Sequence, residues 1–538
     1  MSRGRMVFIV SFVVLGCADK GRVKGQHQVE ETVKAPPKIS ALTDLGGLPV
    51  LSSGALNDAL SDGRFTPGEW VVVGGEHLSG DNTAVRIGET VTPIAAQLET
   101  GLLVRMPRDL VPFGTTTLTV TTPFGSDSIS FRPQAYLVAS DTSANQLRFF
   151  RTVSAPEKAP AFEPECEAVS LERVRLHARS GSGALLYATA GAKDTDAHEP
   201  QARALMIVHM GAPDHPAVIG QALFSSVDGP IEMAVTGDGS YLVLLTQTEL
   251  FVFDIIDEAA PKQIASLNLA HDGISEGGYL GMALLRGGEA AVLLDGLANR
   301  LSVVDLEQKR DPKLVSHLEV LEDEMPRTVD LVTDRSDDTV VHVVTGANLR
   351  LAKNMFHRFA PKLLSHLKSG DEGTSSRLLS YRLVGDRLSA VREIALPSRT
   401  VPLFVSSDKD GGLFVSAADF NITTISADDS VMGGLRMAVG VLADAVKLGS
   451  IFHIDRDGNI SKYAEGMSLF LTMTKAFGDS SNSALVLRVI VKKFPPSIGV
   501  KLSVDTLDSS GKRVSEQPLR ELSWSFLIPP YTTPDISF

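Results

Sequence analysis

The sequence is poor in cysteine, in net positive charge and in long apolar runs. Its 538 residues contain two cysteines, Cys17 and Cys166, which form no CxxC pair. Neither a disulfide framework nor a thiolate zinc site is therefore supported. Lys and Arg number 51 against 64 Asp and Glu, a net charge of −13. That balance argues against nucleic acid as a partner.

Catalytic motifs are also missing. The twelve histidines show neither HExxH nor another close ligand pair, and no P-loop or dinucleotide fingerprint precedes a helix. The match GISEG (273–277) to G-x-S-x-G lies between two strands rather than before a helix, so we interpret it as chance. DRDGN (455–459) begins like a calcium loop but has Gly466 at the twelfth position, and we expect a hairpin turn. We interpret KDTDAHE (193–199) as a solvated loop.

The N-terminus has the pattern of a secretory signal. Arg3 and Arg5 precede an apolar run, 6–15, that is too short to span a bilayer. The run ends in VLGC (14–17), which resembles the lipobox of bacterial lipoproteins. The resemblance implies cleavage after residue 16 and acylation of Cys17, and acyl chains anchor a protein to a membrane. The alternatives are a plain signal peptide cut elsewhere and a short buried segment. Ala18 at the next position favours the outer membrane, although Asp19 weakens that inference.

After the predicted signal peptide (1–16), residues 17–36 have few large apolar side chains and read as a solvated tether. Residues 37–133 show short strands with period-2 alternation between Gly, Pro and Asp turns. Leu118, Val120 and Thr122 would form the buried face of one strand. The segments VVVGGEHL, VRIG, VRMP and LTVTTPFGSDSISF resemble IPT/TIG immunoglobulin-like domains, which implies a spacer or adhesion module without catalytic residues. The alternative is an unrelated β-sandwich.

One string occurs three times in the next region. It reads LMIVHMGAPDHPAVIGQA (205–222), LFVFDIIDEAAPKQIASL (250–267) and LSVVDLEQKRDPKLVSHL (301–318). Each copy begins with a strand that ends in His209, Asp254 or Asp305. A turn containing a proline follows, and then a second strand. The second strand has an aliphatic residue three positions after the proline. The prolines are Pro216, Pro261 and Pro312, and the aliphatic residues are Ile219, Ile264 and Val315. We expect the two aspartates to accept hydrogen bonds from turn N–H groups rather than to bind metal.

A strand, a Gly/Asp turn and an apolar strand precede each copy, so one unit holds four strands in roughly 45–50 residues, the signature of a β-propeller blade. The units resemble the LVIVD-type propeller repeat. We therefore predict an all-β protein with an Ig-like sandwich followed by a six- or seven-bladed propeller over 134–466. A short helical insert is expected at 349–368. Residues 467–538 either close the ring, which we favour, or form a small extra sheet.

The leading functional hypothesis is a lipid-anchored, non-enzymatic outer-membrane protein whose propeller binds an envelope protein or a glycan, without a cofactor. The second hypothesis is a hydrolase or lyase with its active site at the propeller mouth, which would require carboxylates or histidines with perturbed pKa values there. A third is an assembly factor or a motility or adhesion subunit. No catalytic, cofactor-binding or metal-binding residue is predicted, and Cys17 is the one predicted modification site.

Overall fold

The computed structural model describes most strands of both predicted domains. The described residues are 35–44, 65, 70–98, 100–107, 115–133, 136–141, 145–153, 161–164, 168–172, 174, 176–181, 185–191, 201–209, 216–226, 228–269, 278–295, 298–320, 327–346, 376–397, 400–408, 410–419, 449–467, 473–476, 484–493, 497–508, 510–525 and 536–537. The predicted signal peptide, Cys17, residues 17–34 of the tether and the predicted helical insert at 349–368 lie outside them.

Two four-stranded antiparallel sheets form the first domain. Its strands are β1 Lys38–Asp44, β2 Trp70–Glu76, β3 Ala84–Ile87, β4 Thr90–Thr92, β5 Ile94–Leu98, β6 Gly101–Arg105, β7 Thr116–Thr122 and β8 Gly125–Phe131. One sheet has the order β1-β2-β6-β5 and the other β4-β3-β7-β8. Strand β7 buries Leu118, Val120 and Thr122, as predicted. Leu118 and Val120 share one core with Val71 and Val104 from the opposite sheet, so the domain is a β-sandwich.

The second domain is built from repeated four-stranded sheets, here called blades 2 to 7. Blade 2 contains β13 His177–Arg179, β14 Leu185–Gly191, β15 Gln201–His209 and β16 Ala217–Ser226, and blade 3 contains β17 Pro230–Val235, β18 Tyr241–Thr246, β19 Glu249–Asp254 and β20 Lys262–Asn268. Blade 4 contains β21 Gly281–Leu285, β22 Ala290–Asp295, β23 Arg300–Asp305 and β24 Lys313–Glu319, and blade 5 contains β25 Arg327–Thr333, β26 Val340–Gly346, β27 Arg377–Val384 and β28 Arg387–Ala395. A single 3-10 turn, Arg286–Gly288, joins β21 to β22.

Blades 6 and 7 follow the same order. Blade 6 contains β29 Thr400–Ser407, β30 Leu413–Asp419, β31 Gly449–Ile454 and β32 Ile460–Met467, and blade 7 contains β33 Met473–Ala476, β34 Ala484–Lys493, β35 Ser497–Leu507 and β36 Arg513–Ser525. We call the four strands of each blade A, B, C and D in this order. The A strands of neighbouring blades contact one another from β13 to β33, so they surround a common axis, and the D strands lie at the rim.

Blade 1 combines both ends of the ring. It contains β9 Tyr136–Asp141, β10 Gln146–Val153 and β11 Ala161–Pro164, with β12 Val169–Ser170 beside β10, and its remaining strand is β37 Ile536–Ser537. Strand β37 pairs antiparallel with β9, and β11 contacts β36 of blade 7. Among the described residues the ring therefore has seven blades. The predictions of an all-β chain and of a sandwich followed by a propeller are confirmed.

The repeated string has a structural counterpart in a bulge of the D strand. In blades 2, 3 and 4 the ladder between strands C and D skips one residue, and that residue is Ile219, Ile264 or Val315. The ladder skips Val391 in blade 5 and Tyr463 in blade 6 in the same way. A bulge increases local twist and bends the strand. The aliphatic residue that recurs in the sequence is therefore the bulge residue at which strand D bends.

Candidate functional site

Because strands A, B, C and D alternate in direction, the A–B and C–D turns of blades 3 to 6 lie on one face of the ring. We call this the tight-turn face. In blades 3 to 6 its A–B turns are short and rich in Gly and Asp: 236–240, 286–289, 334–339 and 408–412. The turns bond to their neighbours, because Gly237 N donates to Gly287 O at 2.8 Å and Arg286 N donates to Asp338 O at 2.9 Å. Described polar groups of several blades converge on this face.

One serine, one histidine and one aspartate form a hydrogen-bonded array in blade 5. His342 on β26 lies directly opposite Ser380 on β27, and its Nδ1 is 2.8 Å from Ser380 Oγ. Its Nε2 is 3.1 Å from Oδ2 of Asp334, the first residue of the A–B turn. The other carboxylate oxygen, Oδ1, accepts hydrogen bonds from the N–H and the hydroxyl of Ser336, both at 2.7 Å.

The environment of Asp334 keeps its carboxylate ionised. Burial by itself raises the pKa of Asp334, but the hydrogen bonds from His342 and Ser336 outweigh burial and lower the pKa to about 2. The three residues are 3–9% exposed, with Ser380 the least accessible. A nucleophilic serine must meet its substrate. These hydrogen bonds therefore hold the A–B turn of blade 5 against β26 and β27, and they do not present a reactive hydroxyl to a substrate.

Blade 6 repeats the aspartate–histidine pair at the equivalent turn. Asp408 begins the A–B turn, and its Oδ1 accepts hydrogen bonds from the N–H groups of Gly412 at 2.7 Å and Asp410 at 2.8 Å. Its Oδ2 lies 3.4 Å from Nε2 of His453 on β31. Burial raises the pKa of Asp408, but the hydrogen bonds from His453 and Gly412 lower it further than burial raises it. The aspartate is thus repeated, while its histidine comes from strand B in blade 5 and strand C in blade 6.

Carboxylates also occupy equivalent positions on two innermost strands. In blades 3 and 5 the A strand has a bulge, and the residue that follows is Glu232 or Asp330. The carboxylate of Asp330 accepts a hydrogen bond from the N–H of Val405 in the next A strand, at 3.0 Å. Blade 6 has the same bulge, followed by Phe404. In blade 5 this acidic position joins neighbouring blades around the axis.

A small cleft opens between blades 4 and 5 on the tight-turn face, with a volume of about 40 Å³. Its wall includes Arg286, whose Nη2 donates to the carbonyl oxygens of Leu383 at 3.3 Å and Gly385 at 2.9 Å. Asp305 and Asp386 also line it. A cleft of this size holds about one water molecule or a single side-chain head group.

Lys309 is a half-buried cation in the C–D turn of blade 4. Its Nζ donates to the carbonyl oxygens of Gly288 at 2.9 Å and Leu306 at 2.6 Å, and it lies 5.5 Å from the ring centroid of Tyr241 in blade 3. Burial lowers the pKa of Lys309, and the negative charge of Asp238 is the largest effect that raises it. These contacts make Lys309 a link between blades 3 and 4.

The sandwich contacts the propeller through an ion pair. Arg105 at the end of β6 lies 4.0 Å from Glu258 in the C–D turn of blade 3, and 5.6 Å from the ring of Trp70. The Glu258 carboxylate also accepts a hydrogen bond from Ser180 Oγ, and its backbone carbonyl accepts one from Tyr187 Oη, each at 3.0 Å. Burial, followed by the charge of Glu258, raises the pKa of Tyr187, so the phenol stays a donor. The sandwich thus meets the tight-turn face at blade 3, through a residue that is also bonded to blade 2.

The residues singled out in the sequence fall into three groups. Asp254 Oδ1 accepts a hydrogen bond from Ile256 N at 3.0 Å, and Asp305 Oδ1 accepts one from Glu307 N at 2.9 Å, so both aspartates are turn acceptors as predicted. DRDGN forms the C–D turn of blade 6, where Asp455 Oδ1 accepts from Asn459 N at 2.8 Å. GISEG, KDTDAHE and Cys17 lie outside the described residues. In the part of the chain that the structure describes, no three His, Cys, Asp or Glu side chains are arranged to hold a metal ion.

Sequence reasoning missed the histidine arrays. Asp334 and His342 are eight positions apart, a spacing that matches no ligand motif, and Ser380 follows only after a long connection. One signal was present: Asp334 and Asp408 occupy the same place in two of the repeated strand–turn–strand units. In the described ranges, no helix is both long enough and apolar enough to span a membrane.

Comparison with known proteins adds little beyond the fold. No family model matches the chain, and no curated protein matches it. Among solved structures, it is similar to the periplasmic gluconolactonase of Pseudomonas aeruginosa (12% identity, TM-score 0.46, 72% of this chain and 99% of that one). It is also similar to a proposed 6-phosphogluconolactonase of Bacteroides uniformis (10% identity, TM-score 0.42, 73% and 99%). With TM-scores below 0.5, the assignment of the propeller rests on the sheet topology.

Proposed function

We propose that the protein is a lipid-anchored cell-envelope protein that uses its propeller as a non-catalytic binding or assembly surface. In this proposal Cys17 carries the lipid, residues 17–36 are the tether, and the sandwich is an IPT/TIG-type spacer. The outer membrane is the proposed location. The partner would be an envelope protein or a glycan.

The buried Asp334–His342–Ser380 array carries the non-catalytic part of this proposal. It has the residue types of a hydrolytic triad, yet Ser380 is 3% exposed and Asp334 is hydrogen-bonded to its own turn. Asp408 and Asp330 likewise bond to backbone N–H groups. The lowered pKa values of Asp334 and Asp408 are thus explained by hydrogen bonds within their turns and blades, and such bonds also perturb pKa values in proteins without catalytic sites.

Metabolic labelling with a fatty-acid probe tests the anchor. The wild-type chain should take up label and fractionate with membranes, whereas Cys17→Ser should lose both, because the thiol is the proposed attachment site. Cys166→Ser is the matched control and should label as wild type. Label that persists in Cys17→Ser would contradict the anchor. Crosslinked pull-down of the intact protein from its native membrane would then identify the partner.

A second candidate function is a hydrolase or lyase with its active site at the propeller mouth. The observation in its favour is Glu232, an exposed carboxylate on an innermost strand. Glu232→Gln should abolish turnover if this carboxylate is the general base, because the amide does not accept a proton near neutral pH. Glu289→Gln, an exposed carboxylate in the A–B turn of blade 4, is the control. Binding without turnover in the wild-type chain would favour the non-catalytic proposal.

A further inference from the structure

Strand β16 at the rim of blade 2 has no charged residue. Its sequence AVIGQALFSS differs in this from the D strands of blades 3 to 6, which carry lysine, arginine or glutamate. Charged side chains, lysine above all, are how natural proteins protect the edge of a sheet against pairing with another strand. The edge of blade 2 lacks this protection.

The contrast holds at equivalent positions. Two residues before the bulge, blade 2 has Ala217 where blades 3 and 4 have Lys262 and Lys313. Four residues after the bulge, it has Leu223 where those blades have Asn268 and Glu319. All six residues are exposed.

Large apolar side chains are exposed along the same strand. Val218, Ile219 and Leu223 are 41%, 46% and 66% exposed. Phe224 points the other way and packs on Phe251 of blade 3, with ring centroids 5.4 Å apart. Since side chains alternate along a strand, Leu223 projects from the face that blade 3 leaves uncovered. Strand β16 is also the end of its sheet, so its outer N–H and C=O groups face away from β15.

These features specify the chemistry of an occupant. Alternating backbone donors and acceptors are satisfied by an extended polypeptide, and an uncharged edge with Leu223 at its exposed face favours an uncharged, partly apolar strand. Strand β16 itself has that chemistry. A two-fold axis would place two such strands antiparallel, each meeting the same residues of the other. We propose that β16 is the docking edge for a second copy of this chain, paired antiparallel through residues 221–226, beyond the bulge.

The expected association is weak and depends on salt. Pairing one strand buries little surface, which places the dissociation constant roughly between 1 μM and 1 mM. Each copy carries a net charge of −13, so the two copies repel at low ionic strength. Added salt screens this repulsion and should strengthen the dimer, the opposite of its effect on an ionic interface.

Sedimentation equilibrium of the full chain carrying Cys17→Ser, which removes the proposed lipid, tests the proposal. We expect a monomer–dimer equilibrium that shifts toward dimer with salt. Leu223→Glu, which introduces the residue type of blade 4, should raise the dissociation constant at least about tenfold, a change of about 1.4 kcal/mol. Gln221→Lys, which places an edge lysine inside the paired segment, should also weaken the dimer. Ala395→Glu places the same charge at the equivalent position of blade 5 and should leave association unchanged.

Several results would overturn the proposal. One is a chain that stays monomeric at about 1 mM. Another is a dimer that survives Leu223→Glu and Gln221→Lys, which would place the contact elsewhere. A dimer weakened equally by Ala395→Glu would show a general charge effect. Circular dichroism and a melt of each variant would separate lost pairing from unfolding. If Leu223→Glu unfolds, Gln221→Lys decides.

Discussion

Ile536, in the last strand of the chain, pairs antiparallel with Ala139, in the first strand of the propeller. This pairing makes blade 1 a composite of both ends of the ring. A closed ring leaves few exposed sheet edges, and its stability then depends on both ends together.

Removing residues 526–538 should destabilise the whole ring. The truncation removes β37, so blade 1 loses a strand next to the axis while β33–β36 remain. We expect the melting temperature to fall by about 5 °C or more and limited proteolysis to cut near β9. Deleting Phe538 alone, which leaves β37 intact, is the control. Truncation after residue 466, which removes all of blade 7, should cause aggregation. An unchanged melting temperature in either truncated chain would contradict closure through these segments.

Gly511→Ala should destabilise the contact between blades 6 and 7. Gly511 has φ +75°, and a Cβ there would collide with the carbonyl oxygen of Tyr463. Gly385→Ala is the matched control, because its φ is +58° and nothing lies within 4 Å of the added Cβ. Left-handed backbone alone costs about 1–2 kcal/mol, and the collision adds about 1–3 kcal/mol more. Urea denaturation should show this difference, and equal losses in the two variants would contradict the close approach of the blades.

Asp334→Asn should lower stability at neutral pH but not in strong acid. The pKa of Asp334 falls from 3.8 to about 2 in the folded protein. A carboxylate whose pKa is lower in the folded state stabilises that state above its unfolded pKa, and this contribution disappears as the pH falls through the folded pKa. The wild-type advantage should therefore be about 1–2 kcal/mol at pH 7 and vanish between about pH 4 and pH 2.

Unfolding free energies across pH would measure this effect. Asp455→Asn is the control, since the hydrogen bond from Asn459 N to Asp455 in a similar turn is exposed to solvent, and its variant should differ little from wild type. A difference for Asp334→Asn that persists unchanged to pH 2 would mean that the ionised carboxylate is not its source.

Residues 37–133 should fold without the propeller. The sandwich has its own core, in which Val71 and Val104 of one sheet pack with Leu118 and Val120 of the other. Its ion pair with the propeller, between Arg105 and Glu258, spans 4.0 Å, and such pairs contribute about 0–1 kcal/mol. The isolated span should show β-type circular dichroism and one cooperative melting transition. Glu258→Ala in the full chain should leave that transition unchanged, and a non-cooperative melt would contradict the domain boundary.

Local sequence determined the strands and several turns of this protein. Period-2 alternation predicted the buried face of β7, and the repeated string predicted strand C, its turn and strand D. That its recurring aliphatic residue, Ile219, Ile264 or Val315, forms a bulge was shown only by the structure. Asp254 and Asp305 were predictable as turn acceptors because their partners lie two residues away. These features depend on neighbours within one turn or one strand, so a single stretch of sequence contains all the information they need.

Only the tertiary structure decided which distant residues meet. His342 faces Ser380 because β26 and β27 pair in one register across a long connection, and β37 reaches β9 because the ring closes. The exposure of Leu223 likewise depends on which blade covers each face of β16. A strand's pattern specifies which side chains are buried but not the strand that buries them, because many registers bury similar apolar area. The packing of the whole ring selects one of these registers.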